Sequence, residues 1–321
     1  MRRLSILPIL TALTLSACNG SGGGGTYTPP VSGGPFMFVA DYNASAIFEF
    51  PLTANGNVGP SATIGGGNTQ LNGPAAITRD TTGRIYVANF NANQILVFPA
   101  NLAGNVTPTS TISGSGTGLA SPNGIVIDHT SRLVVANYAT NSVTIFSSGA
   151  SGNAAPVATI VGGSTQLNAP AGVGVDGTNY IYVANSNSPS ITVYATSANG
   201  NATPIRVIAG PATGLNTPAG LFVDSSGDCW VANAGGNSIV EFGPNAHGNA
   251  SPINTISGSN TGLSVPQGLV VDSSGKIYVT NFNTSGYSGY VTIYPSGASG
   301  NVNPQQAITS SSLNGPAGIS L

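Results

Sequence analysis

The chain has 321 residues, of which only 5% are charged, against roughly 25% in a typical soluble domain. Nine Asp and Glu stand against seven Lys and Arg, two of them in the first three residues, a balance that argues against a nucleic-acid partner. Asn, Ser, Thr and Gly must carry most of the wetted surface, which leaves it neutral and gives little electrostatic steering of charged partners.

In chain order, Met1-Arg2-Arg3 precedes an apolar run from Leu4 to Leu15 that ends in Leu15-Ser16-Ala17-Cys18. The run is too short to cross a bilayer, and residues 1–17 have the form of a signal peptide. Its last four residues resemble the lipobox of bacterial lipoproteins. That resemblance implies cleavage before Cys18, lipidation of Cys18 and attachment to a membrane, and leaves a mature chain with a formal charge of −4. The alternative is an ordinary signal peptide followed by a chance cysteine. In a Gram-negative host, Asn19 is not the Asp that directs inner-membrane retention, so the expected location is the cell envelope, with the outer membrane favoured. Cys229 is the only other cysteine, so no disulfide framework is available once Cys18 is lipidated.

Residues 18–35 comprise the cysteine and a Gly-, Ser- and Pro-rich stretch with no apolar periodicity. This reads as a tether, and its sixteen residues from Asn19 to Gly34 have a typical end-to-end distance of roughly 20 to 24 Å.

From Phe36 to Leu321 one pattern recurs. V-A-N, with V-A-D and V-T-N as variants, opens at Val39, Val87, Val135, Val183, Val231 and Val279, an interval of 48 residues. Each copy stands in the same frame: a strand headed by Pro-x-Gly, an Asp-bearing turn, an I-Y-V-A-N strand, an I-x-V-F strand and a further short strand. The segments are rich in Val, Ile, Thr, Tyr and Phe and are bounded by Gly, Pro, Asn and Asp turn signals. No segment has a sustained helical period, so the domain is expected to be all-β. Four-stranded units at this spacing predict a six-bladed β-propeller over residues 36–321. The body begins with a second strand at Phe36 and ends with a first strand at Pro316-Ala317-Gly318, so the two ends should complete one blade and close the ring.

The motifs P-x-G-[ILV]-x-[VI]-D, x-[IL]-Y-V-A-N and [IV]-x-[VI]-[FY] resemble the NHL repeat of six-bladed propellers, although the units here are longer because of a G-N-x-x-P loop and a T-G-L linker. The resemblance implies a fold shared by sensor domains, RNA-binding modules and some lyases, with lactonases on similar propellers, so it leaves function open. Six-bladed lactonases place Glu, Asn and Asp ligands around a metal at the central channel. Here the positions just after each blade-opening proline are Ala75, Asn123, Ala171, Ala219, Gln267 and Ala317. None is a carboxylate or histidine, His129 and His247 lie off the ligand face, and no catalytic constellation, metal site or cofactor is expected.

Other polar residues suit structural roles. Asp80, Asp128 and Asp272 precede Arg84, Arg132 and Lys276 by four residues and read as turn caps with rim ion pairs. Glu49 and Glu241 interrupt third strands, where bridges to Gln306 and Arg206 of the preceding blades are expected. Arg79 has no evident partner beyond Asp80. Asn89, Asn137, Asn185, Asn233 and Asn281 form a ring that suits Asx bonds to the backbone better than ligand contact, with Asp41 its only carboxylate. The turn from Asn281 to Val291 is four residues longer than its counterparts and carries Tyr287 and Tyr290 beside Asp41 and Tyr42. A candidate ligand site is therefore Asp41, Tyr42, Phe282, Tyr287 and Tyr290, whose aromatic, amide-rich surroundings suit an uncharged glycan or a peptide or protein better than a phosphate. The expected protein is a monomeric, noncatalytic binding or scaffold module, with a lactonase- or lyase-like enzyme as the alternative.

Overall fold

The computed structural model describes residues 35–100, 103–224, 226–282 and 289–321. The leader, Cys18 and most of the tether lie outside them, as does Tyr287. Within them the chain forms six four-stranded antiparallel sheets with only single 3-10 turns as helical structure. Blade 2 illustrates the unit, running Pro74–Arg79, Ile85–Asn89, Gln94–Phe98 and Ser110–Ile112 from the channel outward. Blade 1 is the composite blade: Pro316–Ser320 pairs antiparallel with Phe36–Asp41, which is followed by Ala46–Pro51 and Ala62–Gly65. The two chain ends thus share one sheet, and Pro316–Ser320 covers the edge of Phe36–Asp41 that would otherwise face the channel.

Strand alternation explains why the blades stack. Met37 and Val39 point into a core shared with Tyr278 and Ile293 of blade 6, while Phe38 and Ala40 point into a core shared with Ile85 and Leu96 of blade 2. Six such cores fill the six blade interfaces. Each fully buried large apolar side chain contributes about 1.5–3 kcal/mol, so the sheets are held by both faces and charged residues have little place in them. Cys229 belongs to one of these cores, and burial pushes its thiol up to about 12.

The Gly-Asn loop that lengthens the repeat forms an outer belt. Gly104 of blade 2 lies beside the outer strand of blade 1, donating from N–H to the Thr63 carbonyl at 2.6 Å and accepting from Gly65 N–H at 3.2 Å. Gly152, Gly200, Gly248, Gly300 and Gly56 make the same parallel bridge at the other junctions. The Asn that follows adds a clamp: Asn105 Oδ1 accepts from Asn68 N–H at 2.7 Å and Asn153 Oδ1 from Gly116 N–H at 2.7 Å, with Asn201, Asn249 and Asn301 doing likewise. At the ring closure Ser310 stands where the other blades have glycine, and its own hydroxyl accepts from Ser312 N–H at 3.3 Å. An intramolecular bond of this kind contributes about 0.5–1.5 kcal/mol net, and repetition around the ring makes it a girdle.

Candidate functional site

The inner strands follow one another around a central channel. Each departs from regular pairing just after its leading proline, between Pro74 and Ala76, between Pro122 and Gly124, and between Pro170 and Val173, for example. A bulge re-aims the side chain it contains, and the residues lodged here, Ala75, Asn123, Ala171, Ala219, Gln267 and Ala317, line a cavity of about 320 Å³ at the channel mouth. The Pro-x-Gly glycine is required by close approach: a Cβ on Gly172 would meet the Ala219 carbonyl oxygen at 2.4 Å, and one on Gly124 the Ala171 oxygen at 2.4 Å. Deeper in, Ile77, Ile125, Val173, Leu221, Leu269 and Ile319 stand between this cavity and one of about 660 Å³ at the opposite end, where Pro35 and Leu321 lie. The channel therefore has an apolar waist.

Around the mouth, the asparagine ring is committed to the framework. Asn137, fully buried, accepts from Ala120 N–H at 3.1 Å and donates to Thr144 Oγ1 at 3.1 Å. Asn89, Asn185, Asn233 and Asn281 accept from the equivalent linker N–H groups. Asp41 occupies the same place. It is fully buried, with Oδ1 accepting from Ala44 N–H at 2.9 Å and Oδ2 from Asn314 and Gly315 N–H at 2.7 and 3.0 Å. Its carboxylate thus faces backbone rather than the cavity.

One position further along the turn, the blades differ. The residues are Tyr42, Phe90, Tyr138, Ser186, Ala234 and Phe282 in blades 1 to 6. Tyr42 makes edge contacts with Phe90 at 5.9 Å and Phe282 at 6.5 Å between centroids, and Phe90 packs on Tyr138 at 6.1 Å. Four half-exposed rings thus form an arc over blades 6, 1, 2 and 3, open on the side of Ser186 and Ala234. Tyr42, Phe90 and Phe282 reach the cavity wall. Of the sequence-predicted site residues the structure brings together Tyr42 and Phe282. Tyr290 begins a third strand, paired with Asn281, and does not line the cavity. Phe90 and Tyr138 were not anticipated, although their place one residue after the Asn ring is a signal the repeat itself carries.

Apart from Asp41 in the surrounding ring, no acidic or basic residue lines this mouth among the described residues. Asp80 and Asp128 cap their turns and pair with Arg84 and Arg132, both at 2.7 Å. Partial burial works to raise Asp80, but hydrogen bonds from Thr82 and Arg84 outweigh it and bring it to about 2. Asp272 departs from the expected ion pair: its carboxylate takes Ser274, the Lys276 N–H and, at 3.0 Å, the Tyr278 hydroxyl. In blade 5 the fourth residue of the turn is Asp228, which burial and nearby Asp224 push up.

The expected bridges to buried Glu49 and half-buried Glu241 do not form. Arg206 donates to the Pro244 carbonyl and to Tyr182 Oη, Gln306 to the Ala54 carbonyl, and Glu49 accepts from Ser61 Oγ at 2.9 Å. Blades are joined through carbonyls because these long donors reach backbone acceptors and already have them. Arg79 lies over the Phe38 ring, 4.5 Å from its centroid, which accounts for a cation on an inner strand.

A lactonase-type metal does not fit the donor set. The mouth offers four methyl groups and two carboxamides, Asp41 is saturated by three N–H groups, and among the described residues no three His, Cys, Asp or Glu converge to hold a metal.

Residues 102–252 match the model of the SMP-30/gluconolactonase/LRE-like region. No curated protein matches the chain in sequence. Among solved structures, the chain is similar to a protein of unknown function from Bacteroides caccae, with 10% identity, TM-score 0.60 and coverage of 88% of this chain and 97% of the other. It is also similar to virginiamycin B lyase from Staphylococcus aureus, with 12% identity, TM-score 0.56 and coverage of 91% and 93%. A third is a candidate 6-phosphogluconolactonase of Bacteroides fragilis, with 16% identity, TM-score 0.56 and coverage of 85% and 81%. At these identities the likeness is one of fold.

Proposed function

We propose that this propeller is a noncatalytic binding module of the bacterial cell envelope, anchored through Cys18, and that it holds an uncharged ligand, a glycan or peptide, at the channel mouth. The observation that carries the reading is the make-up of that mouth: an arc of Tyr42, Phe90, Tyr138 and Phe282 above a cavity walled by Ala, Gly and two carboxamides, with Tyr42 the one titratable side chain among its described lining residues. Such a cavity offers contact area and a few polar groups for orientation. Among the described residues its lining holds no carboxylate, histidine, cysteine, lysine or serine to act as acid, base or nucleophile, and the Tyr42 hydroxyl donates to Asn91 Oδ1 at 2.9 Å.

The test is a screen of the tagged, detergent-solubilised mature protein on glycan and peptide arrays, repeated with Tyr42→Ala and Phe90→Ala combined. Loss of the selected ligand at unchanged melting temperature is expected. Retention at full strength would remove the mouth as the site. For the anchor, Cys18→Ser should move the protein from the membrane to the soluble fraction.

A second reading, a lactonase- or lyase-like enzyme, draws on the match of residues 102–252 to the gluconolactonase-like region and on the shared fold with virginiamycin B lyase. Turnover of sugar lactones or of virginiamycin B by the purified protein, with and without added divalent metal, would establish it in place of the first.

A further inference from the structure

We infer that the channel mouth selects the peptide group, its ligand being a neutral peptide segment whose amides are held between Asn123 and Gln267. This rests on the mouth being the binding site, and adds the chemistry it distinguishes.

Of the six equivalent bulge positions, four carry alanine and two carry carboxamides. Asn123 is on the inner strand of blade 3 and Gln267 on that of blade 6. Since the inner strands succeed one another in a closed ring of six, the two amides stand on opposite sides of the cavity. Neither side chain has a hydrogen-bond partner among the described residues, whereas the asparagines of the surrounding ring spend theirs on backbone. Amides left uncommitted in a cavity, next to others fully used, are available to a ligand.

A carboxamide presents an acceptor oxygen and two donor hydrogens. Its neutral complement is a donor and an acceptor side by side, which is what the N–H and C=O of one residue in an extended peptide present. A carboxylate or phosphate would find donors but also two carbonyl oxygens and no countercharge, above a waist of Ile, Val and Leu, at a desolvation cost nothing in the lining offsets. An oligosaccharide would bring many hydroxyls to a wall with two polar side chains. The volume, about 320 Å³, lies at the small end of ligand cavities and suits one side chain with its flanking amides. That side chain is apolar or aromatic, because alanine methyls and the waist lie beneath it and the rings of Tyr42, Phe90 and Phe282 beside it.

The experiment compares two probes of one shape by calorimetric titration of the mature protein. One is N-acetyl-L-phenylalanine N-methylamide. The other is its ester isostere, in which oxygen replaces both amide N–H groups. The amide is expected to bind at least about tenfold more tightly, and Asn123→Ala combined with Gln267→Ala should lower it to the level of the ester at unchanged melting temperature. Equal affinity of the two probes, with both lost in Tyr42→Ala combined with Phe90→Ala, overturns amide selection and keeps the mouth as a binding site. Binding that none of these substitutions alters overturns both. Failure of the amide probe to bind up to about 10 mM overturns the inference on the unaltered protein, where folding of a variant is not in question.

Discussion

The outer belt and the rim of the mouth are built from the same repeat and use it in opposite ways. Around the belt, each glycine makes the same two backbone contacts and five of the following asparagines make the same clamp. At the ring closure Gly56 keeps both backbone contacts, donating to the Ala307 carbonyl and accepting from Thr309 N–H, while the Ser310 hydroxyl makes only a local bond, from Ser312 N–H. Around the rim, backbone geometry repeats while the side chains after the Asn ring change from aromatic to Ser186 and Ala234. Where every unit must meet the next, the same backbone contacts recur at all six junctions. At the rim the rings pack on one another through only part of the circle, and it is over the upper cavity that the blades differ.

The comparison is broken most severely at the inner glycines, where frame and mouth meet. Gly172→Ala should cost about 3 kcal/mol, the upper end for overpacking, because the new methyl meets the Ala219 carbonyl at 2.4 Å. A denaturant titration reads this directly. Asn137→Ala removes a fully buried amide and leaves the Ala120 N–H and the Thr144 hydroxyl without it, so a loss of about 1–3 kcal/mol is expected. Asp41→Asn sharpens the distinction between frame and site. The substituted amide must turn an NH2 toward backbone donors that now share three bonds with the carboxylate, so stability should fall by about 1–3 kcal/mol while ligand affinity stays unchanged.

Acid should act on the opposite face. Asp80, Asp128 and Asp272 are all held below the ordinary carboxylate range, Asp80 at about 2. A depressed carboxylate stabilises the fold above its unfolded pKa and loses that contribution as pH falls through the folded one. Stability measured by denaturant midpoint should therefore decline from about pH 4 toward about pH 2, and decline less steeply in Asp128→Asn. Asp228 and Glu241 shift upward, with burial the first cause in both, and work in the other sense, weakening the fold as pH rises through their folded values. The smallest effect belongs to Asp228→Lys, which gives blade 5 a basic residue at the position of Arg84, Arg132 and Lys276. It should stabilise by no more than about 1 kcal/mol, seen as a small rise in melting temperature that high salt reduces.

The parts of the molecule legible in the sequence are those set by backbone periodicity. The 48-residue interval, the split blade, the Asp turns and the six residues at the channel mouth all follow from register. The loop through Gly104-Asn105 was visible only as added length, because a contact between neighbouring blades leaves no local pattern. The expected bridges to Glu49 and Glu241 failed because long flexible donors such as Arg206 choose among several acceptors, and a backbone carbonyl competes with a carboxylate. At the rim, the lengthened turn after Asn281 carries Tyr287, outside the described residues, and Tyr290, which begins a strand, whereas Phe90 and Tyr138 share a repeat position with Tyr42 and Phe282 that only a blade-by-blade alignment brings out.

Pro35, where the described chain enters the propeller, lies at the lower cavity, across the waist from the aromatic arc. The described chain thus enters on the face remote from the aromatic arc, so its point of entry leaves the upper mouth uncovered. The floor beneath that mouth is made by the six Ile, Val and Leu side chains of the waist, one from each blade, so a change in any single blade alters one sixth of it.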